Sequence, residues 1–405
     1  MGPNKGEKSP SAKRRIEFSF NGRSLEAFDG DTVASALVRS GVQVFSRSMK
    51  FHRPRGVYCG SGRCISCVMR VNGVPFVRTC TLPVEEGMVV RTERGFPTTN
   101  RDILSVLDHV FRHEFEYRAR FIRPAFLTPV YQAVIRRLSS SSRIPDSETK
   151  FPPIERKSVE VLIIGRGLSG SVAQARIQRA GVRSVMIADR RIGHEGAVPS
   201  VAFGYYESGE VGIQEGRGIK IVRARAVLIA TGRAETGVPI ANGDLPGNLL
   251  SQGVQMLVSR GVSPGKKAFL IGSNESRDSV VRQLEGAGTS IVGEEPHPRE
   301  VVRVVGSRKV KGVELAAQGG SIRLVRCDTV VQMGELVPSV ELAQQAGCRL
   351  RDRSGRVCVE TDGEGRTTVP GVYSCGGVTG LTSEEERISS GENAALTILR
   401  SRGGV

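Results

Sequence analysis

Four cysteines in the N-terminal part of the chain have the type and spacing of metal ligands: Cys59, Cys64, Cys67 and Cys80. The first three form a C-x4-C-x2-C pattern, and four thiolates spaced in this way can hold two irons and two sulfides. A loop that wraps closely around such a group needs small residues that tolerate positive φ, which Gly60 and Gly62 supply. The sequence therefore predicts a [2Fe-2S] cluster ligated by these four cysteines.

Other chemistry fits these cysteines less well. Cys64 and Cys67 alone could form a redox-active CxxC motif. Four cysteines could also bind zinc, but zinc sites usually show two separated CxxC pairs. A disulfide framework suits small secreted domains, and nothing in the sequence indicates secretion. The remaining cysteines have no metal-ligand spacing and are predicted to be reduced and mostly buried: Cys327, Cys348, Cys358 and Cys375.

Alternating apolar residues and turn signals around the cysteines predict a small sheet that would position them. The dipeptides Asn21-Gly22 and Asn72-Gly73 are typical of hairpin turns, and Thr32 is a helix-capping residue. The predicted elements are strands at 16–20 and 25–28, a helix at 33–39, and strands at 68–71, 74–77 and 88–92. This order predicts a β-grasp, ferredoxin-like domain with the cysteine loop at the edge of its sheet. The prediction does not depend on the cysteines and therefore supports the cluster independently.

A glycine-rich turn in the middle of the chain has the pattern of a dinucleotide-binding site. Gly165, Gly167 and Gly170 form GxGxxG, and Asp189 follows about twenty residues later. Such glycines let a pyrophosphate approach the backbone at a helix N-terminus, and the acidic residue would accept hydrogen bonds from a ribose. The predicted elements around the turn are a strand at 159–164, a helix at 171–180 and a strand at 184–188. The alternative is a glycine-rich turn in an ordinary βαβ unit.

The rest of the chain continues the α/β pattern. Predicted strands lie at 201–206, 210–214, 220–223, 226–230 and 268–271, and a closing helix lies at 389–399. The strand at 268–271 leads into a turn without the second and third glycines of the motif, which favours a structural βαβ unit over a working site. Tight turns follow two other strands, at Thr231-Gly232 and at Gly376-Gly377.

Composition and charge exclude several classes of protein. The chain has 405 residues and a net charge of +17, but the positive charge is dispersed and the chain contains no Trp. These features argue against nucleic-acid binding and favour a solvated surface or an acidic partner subunit. No apolar run is long enough for a transmembrane segment. No secretory signal is visible, so a cytoplasmic location is expected.

The length and the motifs predict an α+β part followed by an α/β part. The predicted segments are a disordered basic tail at 1–15, a [2Fe-2S] ferredoxin-like domain at 16–95, a helical connector and linker at 96–157, a shortened FAD- or NAD-binding domain made of 158–235 and 320–405, and a second Rossmann-like domain at 236–319.

Several stretches, in one order along the chain, resemble a known family. They lie at 47–56, 230–232, 244–247 and 371–380. Together with the two motifs they resemble the alpha subunit of heterotetrameric sarcosine oxidase and the related iron–sulfur subunits of proline, hydroxyproline and opine dehydrogenases and of hydrogen cyanide synthase. The resemblance implies a two-dinucleotide-domain flavoprotein fold and a partner beta subunit whose flavin oxidises the amine. It implies FAD or NAD at Gly165, Gly167, Gly170, Asp189, Thr231, Gly232, Gly376 and Gly377.

The sequence departs from the family pattern at the dinucleotide site. Only a short bridge at 190–200 stands where the family has several tens of residues more. Gly377 stands where flavoproteins of this type usually have an aspartate for the ribityl chain. Since the glycine turn and Asp189 are intact, the ADP moiety is predicted to bind while the flavin or nicotinamide half is loosely held. ADP or ATP would then be alternatives to FAD.

The function predicted from these observations is electron transfer. The chain would be the iron–sulfur and dinucleotide-binding subunit of a multi-subunit dehydrogenase or oxidase for amines or imino acids. The five His residues are scattered and no His/Asp pair for amine oxidation is recognisable, so no catalytic residue is predicted; a flavin can carry that chemistry itself. The alternatives are a self-contained NAD(P)H-linked ferredoxin reductase and a non-catalytic scaffold subunit that retains only the cluster.

Overall fold

The computed structural model describes residues 14–48, 51–93, 95, 97–106, 126, 129, 153–182, 184–187, 200–216, 218–317 and 320–402. The chain divides into two compact units. The first comprises Met1–Glu148 and Val238–Met333, and the second comprises Thr149–Gly237 and Gly334–Val405. Most of the predicted tail at 1–15 and of the predicted connector at 96–157 lies outside the described residues.

The strands, in chain order, are β1 (Arg15–Phe20), β2 (Arg23–Phe28), β3 (Ser46–Arg47), β4 (Pro54–Arg55), β5 (Val68–Val71), β6 (Val74–Arg78), β7 (Val89–Arg91), β8 (Ile154–Ile164), β9 (Ser184–Ile187), β10 (Ser200–Tyr205), β11 (Glu210–Glu215), β12 (Gly218–Ile229), β13 (Arg233–Glu235), β14 (Asn248–Leu250), β15 (Lys267–Gly272), β16 (Ser290–Glu295), β17 (Val301–Gly306), β18 (Val310–Ala316), β19 (Ile322–Val325), β20 (Thr329–Met333), β21 (Leu336–Pro338), β22 (Leu350–Arg353), β23 (Arg356–Val359) and β24 (Val372–Ser374). The α-helices are α1 (Val33–Arg39), α2 (Leu168–Arg179), α3 (Ser251–Val258), α4 (Arg277–Gly286), α5 (Glu341–Gln345) and α6 (Glu384–Arg402).

The N-terminal part of the first unit is a five-stranded mixed sheet with the order β2-β1-β7-β5-β6. Helix α1 begins after a capping box. The Thr32 side chain accepts a hydrogen bond from the Ser35 backbone N–H, and the Ser35 side chain accepts one from the Thr32 backbone N–H. Inward-facing residues of the strands and the helix, such as Phe18, Leu37 and Met69, are fully buried. The predicted ββ-α-loop-ββ-β order is therefore the observed one.

The C-terminal part of the first unit is a parallel four-stranded sheet with the order β14-β20-β15-β16. Helices α3 and α4 connect its strands, and β17, β18 and β19 form a separate antiparallel sheet. The second Rossmann-like domain therefore reaches Met333 rather than residue 319, because β20 pairs with both β14 and β15. Val254 and Leu257 of α3 share one hydrophobic core with Phe18 and Met69.

The second unit is built on a sheet with the order β10-β11-β12-β8-β9, to which β24 adds beside β12. The sequence predicts separate strands at 220–223 and 226–230, but the structure has the single strand β12. No Gly or Pro interrupts the intervening residues, and β12 pairs with β8 in parallel over almost its whole length. Helices α2 and α6 pack against each other, and α6 starts earlier than the predicted residue 389.

Candidate iron–sulfur and dinucleotide sites

One loop and one hairpin bring the four predicted cluster cysteines together. The loop between β4 and β5 carries Cys59, Cys64 and Cys67, and Cys80 follows β6. Strands β5 and β6 are antiparallel with Val68 opposite Arg78, so the chain returns to the loop just where Cys80 lies. Three of the four thiols are buried, and only the side chain of Cys64 is partly exposed.

The four sulfur atoms contact one another through hydrogen bonds. The Cys59 sulfur is bonded to the thiols of Cys64 and Cys80 and accepts hydrogen bonds from backbone N–H groups, including that of Ser61; together these lower the pKa of Cys59. The hydrogen bond to Cys80 likewise lowers the pKa of Cys67. The hydrogen bonds to Cys59, with burial, raise the pKa of Cys64 and of Cys80. The site thus stabilises thiolates next to thiols whose protons a bound metal would displace.

The four thiols are connected as a series of neighbouring pairs. Over the part of the chain that the structure describes, no set of three or more His, Cys, Asp or Glu side chains is arranged to hold a metal ion. The thiols instead approach one another in a row, from Cys64 through Cys59 and Cys80 to Cys67. A two-iron cluster takes two thiolates at each iron. The site therefore has the four thiols that a [2Fe-2S] cluster needs.

Backbone packing holds the cysteine loop against helix α3. Gly60 and Gly62 have φ angles of +63° and +73°, which favour glycine. A Cβ on Gly60 would lie 2.6 Å from the Cα of Gly253, and a Cβ on Gly253 would lie 2.4 Å from the carbonyl oxygen of Tyr58. The N–H of Leu250 donates to that same carbonyl at 3.0 Å. The small residues therefore let the loop rest directly on the first turn of α3.

The structure contains a buried His–Asp pair that the sequence pattern did not reveal. The imidazole Nδ1 of His52 lies 2.7 Å from a carboxylate oxygen of Asp102, and both side chains are buried. Arg47 lies beside them and donates to the carbonyl oxygens of His52 and Thr99, each at 2.8 Å. His52 lies in the stretch at 47–56 that resembles the family. Asp102 lies 50 residues further along the chain, and no sequence pattern links it to His52. These contacts hold residues 47–52, which precede the cysteine loop, against residues 99–102.

A cavity of about 220 Å³ lies beside the cysteine loop and includes Tyr58 and Ser66 in its lining. Arg55 and Asn248 also line this cavity. The Nε of Arg55 and the Oδ1 of Asn248 are buried without a protein hydrogen-bond partner among the described residues. Ordered water in a polar cavity of this size can satisfy such atoms.

The structure shows why glycine suits each of the three positions of the predicted dinucleotide turn. A Cβ on Gly165, whose φ is +113°, would lie 2.1 Å from the carbonyl oxygen of Ala230. A Cβ on Gly170 would lie 2.2 Å from the carbonyl oxygen of Gly165, so these two glycines allow tight packing. Gly167 has no atom within 4 Å of such a Cβ, and it precedes α2 without a side-chain cap. Open space at Gly167 and uncapped N–H groups of α2 fit a pyrophosphate.

Three further predicted residues lie in the same unit as this turn. A Cβ on Gly376 would lie 2.2 Å from the hydroxyl oxygen of Ser169, in the first turn of α2. Thr231 donates a hydrogen bond from its hydroxyl to the carbonyl of Ser339 at 2.8 Å, so this hydroxyl is used within the fold. Gly232 has a φ of +69° and open space where a Cβ would stand. Asp189 lies outside the described residues.

Gly377 does not face an open ribityl position. The stem and Nε of Arg233 lie 3.0 Å from the place that a Cβ on Gly377 would take. The side chain that covers the glycine is therefore cationic. The residues therefore fit the pyrophosphate half of a dinucleotide, and Gly377 itself offers no carboxylate to a flavin ribityl chain.

The fold and the cysteine site define an iron–sulfur protein built on a two-dinucleotide-domain framework. Residues 13–95 match the model of the 2Fe-2S iron–sulfur cluster binding domain. Hydrogen cyanide synthase subunit HcnA of Pseudomonas aeruginosa is 31% identical over 84 residues, which are 21% of this chain and 80% of that protein. The chain belongs to the family of hydrogen cyanide synthase subunit HcnA, and it is also homologous to sarcosine oxidase subunit alpha.

The longer similarities cover most of the chain. Sarcosine oxidase subunit alpha of Rhizobium meliloti (strain 1021) is 26% identical over 395 residues, which cover 81% of this chain. The chain spans only 38% of the length of that relative. The crystal structure of L-proline dehydrogenase from P. horikoshii shares the fold, with a TM-score of 0.69 and 20% identity over 98% of this chain and 75% of that one. Among the helices described, none has the length and apolar character needed to cross a membrane.

Proposed function

We propose that this chain is the electron-transfer subunit of a multi-subunit amine or imino-acid dehydrogenase or oxidase, with a [2Fe-2S] cluster held by Cys59, Cys64, Cys67 and Cys80. The observation that carries the proposal is the contact among these four thiols inside a domain of the 2Fe-2S binding type. The similarity to subunits of sarcosine oxidase and of other oxidoreductases supports the substrate class.

The cluster, when bound, supplies one-electron transfer, and the surrounding residues determine where electrons enter and leave. Cys64 is the least buried of the four ligands, and its neighbour Ile65 is 50% exposed. On the opposite side the loop is closed by the contact between Gly60 and Gly253. Electron exchange with a partner is therefore expected at the Cys64 edge, where the distance to another protein is shortest.

The dinucleotide turn is proposed to bind the pyrophosphate of FAD, with NAD or ADP/ATP as alternatives. Support comes from the open space at Gly167 and from the uncapped start of α2. The packing of the Arg233 side chain against Gly377 favours a ligand that is held mainly through its ADP moiety. No electron-transfer step is assigned to this site.

The amine-oxidising step is assigned to a beta-type flavoprotein partner rather than to this chain. The similarity to subunits of multi-subunit oxidases supports a partner, and the net charge of +17 suits an acidic one. A cytoplasmic location is part of the proposal, and it is supported by the eight unpaired cysteines.

The proposal is tested by amine-dependent reduction of the cluster. The full chain is co-expressed with a flavoprotein subunit of the amine-oxidising type from the same genome, and the complex is mixed anaerobically with proline, sarcosine or a related amine. The expected result is a reduced [2Fe-2S] EPR signal that needs both the amine and the partner. A signal produced by NADH and the isolated chain alone would indicate the ferredoxin-reductase alternative, and no reduction by any amine would contradict the proposal.

A further inference from the structure

The cysteine loop contains one buried hydroxyl that the protein itself leaves without a partner. Ser61 lies between Cys59 and Cys64, and its side chain is only 4% exposed. Its Oγ has no hydrogen-bond partner in the part of the chain that the structure describes. A buried hydroxyl in this state lowers the stability of the fold, so its partner is expected to be a group outside the polypeptide.

The position of Ser61 identifies that group. The backbone N–H of Ser61 donates to the sulfur of Cys59, which places the residue at the thiol set. Ser61 lies between two glycines with positive φ, and Gly60 is fixed against Gly253. The close approach of Gly60 to Gly253 holds this end of the loop in place, with Ser61 buried beside the thiols.

Water in the neighbouring cavity is a weaker explanation for Ser61 than for the unpartnered atoms of Arg55 and Asn248. Arg55 and Asn248, which also carry such atoms, line the cavity beside the loop. Ser61 is not among the residues that line it.

We infer that the Ser61 hydroxyl donates a hydrogen bond to a sulfur atom of the [2Fe-2S] cluster and raises the reduction potential of the cluster. Hydrogen bonds to the sulfur atoms are one of the determinants of iron–sulfur potentials. The reduced cluster carries one more negative charge than the oxidised cluster, so a donor stabilises the reduced state more. Ser61 is therefore a tuning residue for the electron transfer described above, and the inference depends on the proposed cluster.

The test compares Ser61→Ala with a matched buried serine. Ser46 is also buried near the loop, but its hydroxyl already donates to the carbonyl oxygen of Ser66 at 2.8 Å. The full chain and both variants are purified, and their iron and sulfide contents are measured first. The midpoint potential is then determined by titration followed by EPR. Ser61→Ala is expected to shift the redox equilibrium about tenfold towards the oxidised cluster. For a one-electron couple, this shift corresponds to a midpoint potential that is about 59 mV lower.

Ser46→Ala is expected to leave the midpoint potential unchanged. If Ser61→Ala does not retain the cluster, the near-isosteric pair Ser61→Thr and Ser61→Val replaces it, and the Thr variant is expected to have the higher potential. Equal potentials within either pair, at full cluster content, would overturn the inference and leave the proposed function intact. A native chain that contains neither iron nor sulfide would overturn both the inference and the proposed function.

Discussion

Cys64 is the predicted ligand whose replacement tests the iron–sulfur site most simply, because its side chain is partly exposed and its loss removes little buried packing. Cys64→Ser should abolish or strongly shift the visible spectrum and the EPR signal of the reduced protein, since a thiolate ligand is lost. The measurement is made on the full chain at known iron content.

Cys348→Ser is the control for this change. Cys348 is buried in the second unit, and its sulfur lies 3.5 Å from the hydroxyl of Thr367, which a serine can still reach. No other cysteine lies at metal-ligand spacing from Cys348, so it is not expected to bind iron. The spectrum should be unchanged, and equal effects of the two substitutions would contradict the ligand assignment.

At Gly167 the open space within the glycine turn can be tested directly. Gly167→Val should remove ADP binding measured by calorimetry, because the new side chain would occupy the space of the pyrophosphate. Gly363→Val is the matched control, since Gly363 also has open space and no positive φ. Similar affinities for ADP, NAD and FAD are expected in the native chain. FAD binding far tighter than ADP binding would show that a flavin half of the pocket is present.

Individual residues show where sequence reasoning succeeds and where it ends. The spacing of Cys59, Cys64 and Cys67 already implies a loop that brings the sulfur atoms together, because the ligands are close in sequence. The contact of Arg233 with Gly377 could not be predicted in the same way. The contact joins residues that are far apart in the chain, and no sequence motif around Arg233 predicts it.

At the scale of elements, two helical glycines should respond to the same substitution with opposite sign. Gly253→Ala is expected to destabilise the protein by about 1–3 kcal/mol, because the new Cβ would lie 2.4 Å from the carbonyl oxygen of Tyr58. Gly286→Ala, in α4 and with no neighbouring atom, should stabilise it by about 0.4–1 kcal/mol through the unfolded state.

Denaturant unfolding of the two variants measures this difference, and cluster content provides a second readout. Loss of cluster from Gly253→Ala but not from Gly286→Ala is expected, because the cysteine loop rests on α3. Stabilisation by both substitutions would contradict the close approach between Gly253 and the carbonyl oxygen of Tyr58.

The elements themselves were predictable where a local signal exists. Thr32 caps α1 as its residue type predicts, and the strands around the cysteines follow the alternation of apolar residues. The division of β12 into two strands was wrong, because alternation at 220–223 and a continuous apolar run at 226–230 look like different strands. Pairing with β8 along the whole length is what makes them one.

For the whole molecule, the domain arrangement was the hardest feature to derive. The sequence places the end of the second Rossmann-like domain at 319, whereas β20 extends it to Met333. The core shared by Phe18 and Leu257 also joins two parts that the motifs separate. Both features depend on contacts between residues that are distant in sequence, and no local pattern encodes them.

The positive charge of the chain leads to a prediction about assembly. Association with an acidic flavoprotein partner should weaken as salt rises, since the Debye length falls from about 10 Å at 0.1 M to about 3 Å at 1 M. Analytical ultracentrifugation of the co-expressed complex at the two salt concentrations provides the measurement. An association constant that does not change with salt would show that charge complementarity contributes little.

The cofactor content of the native full chain is the most direct test of the central claim, that four cysteines hold a two-iron cluster for electron transfer. Anaerobically purified chain is analysed for iron, zinc and acid-labile sulfide and examined by EPR before and after reduction. We expect equal amounts of iron and sulfide with little zinc. The oxidised chain should give no EPR signal, and the chain reduced by one electron should give one. Stoichiometric zinc without sulfide, or the absence of both metals, would contradict the claim.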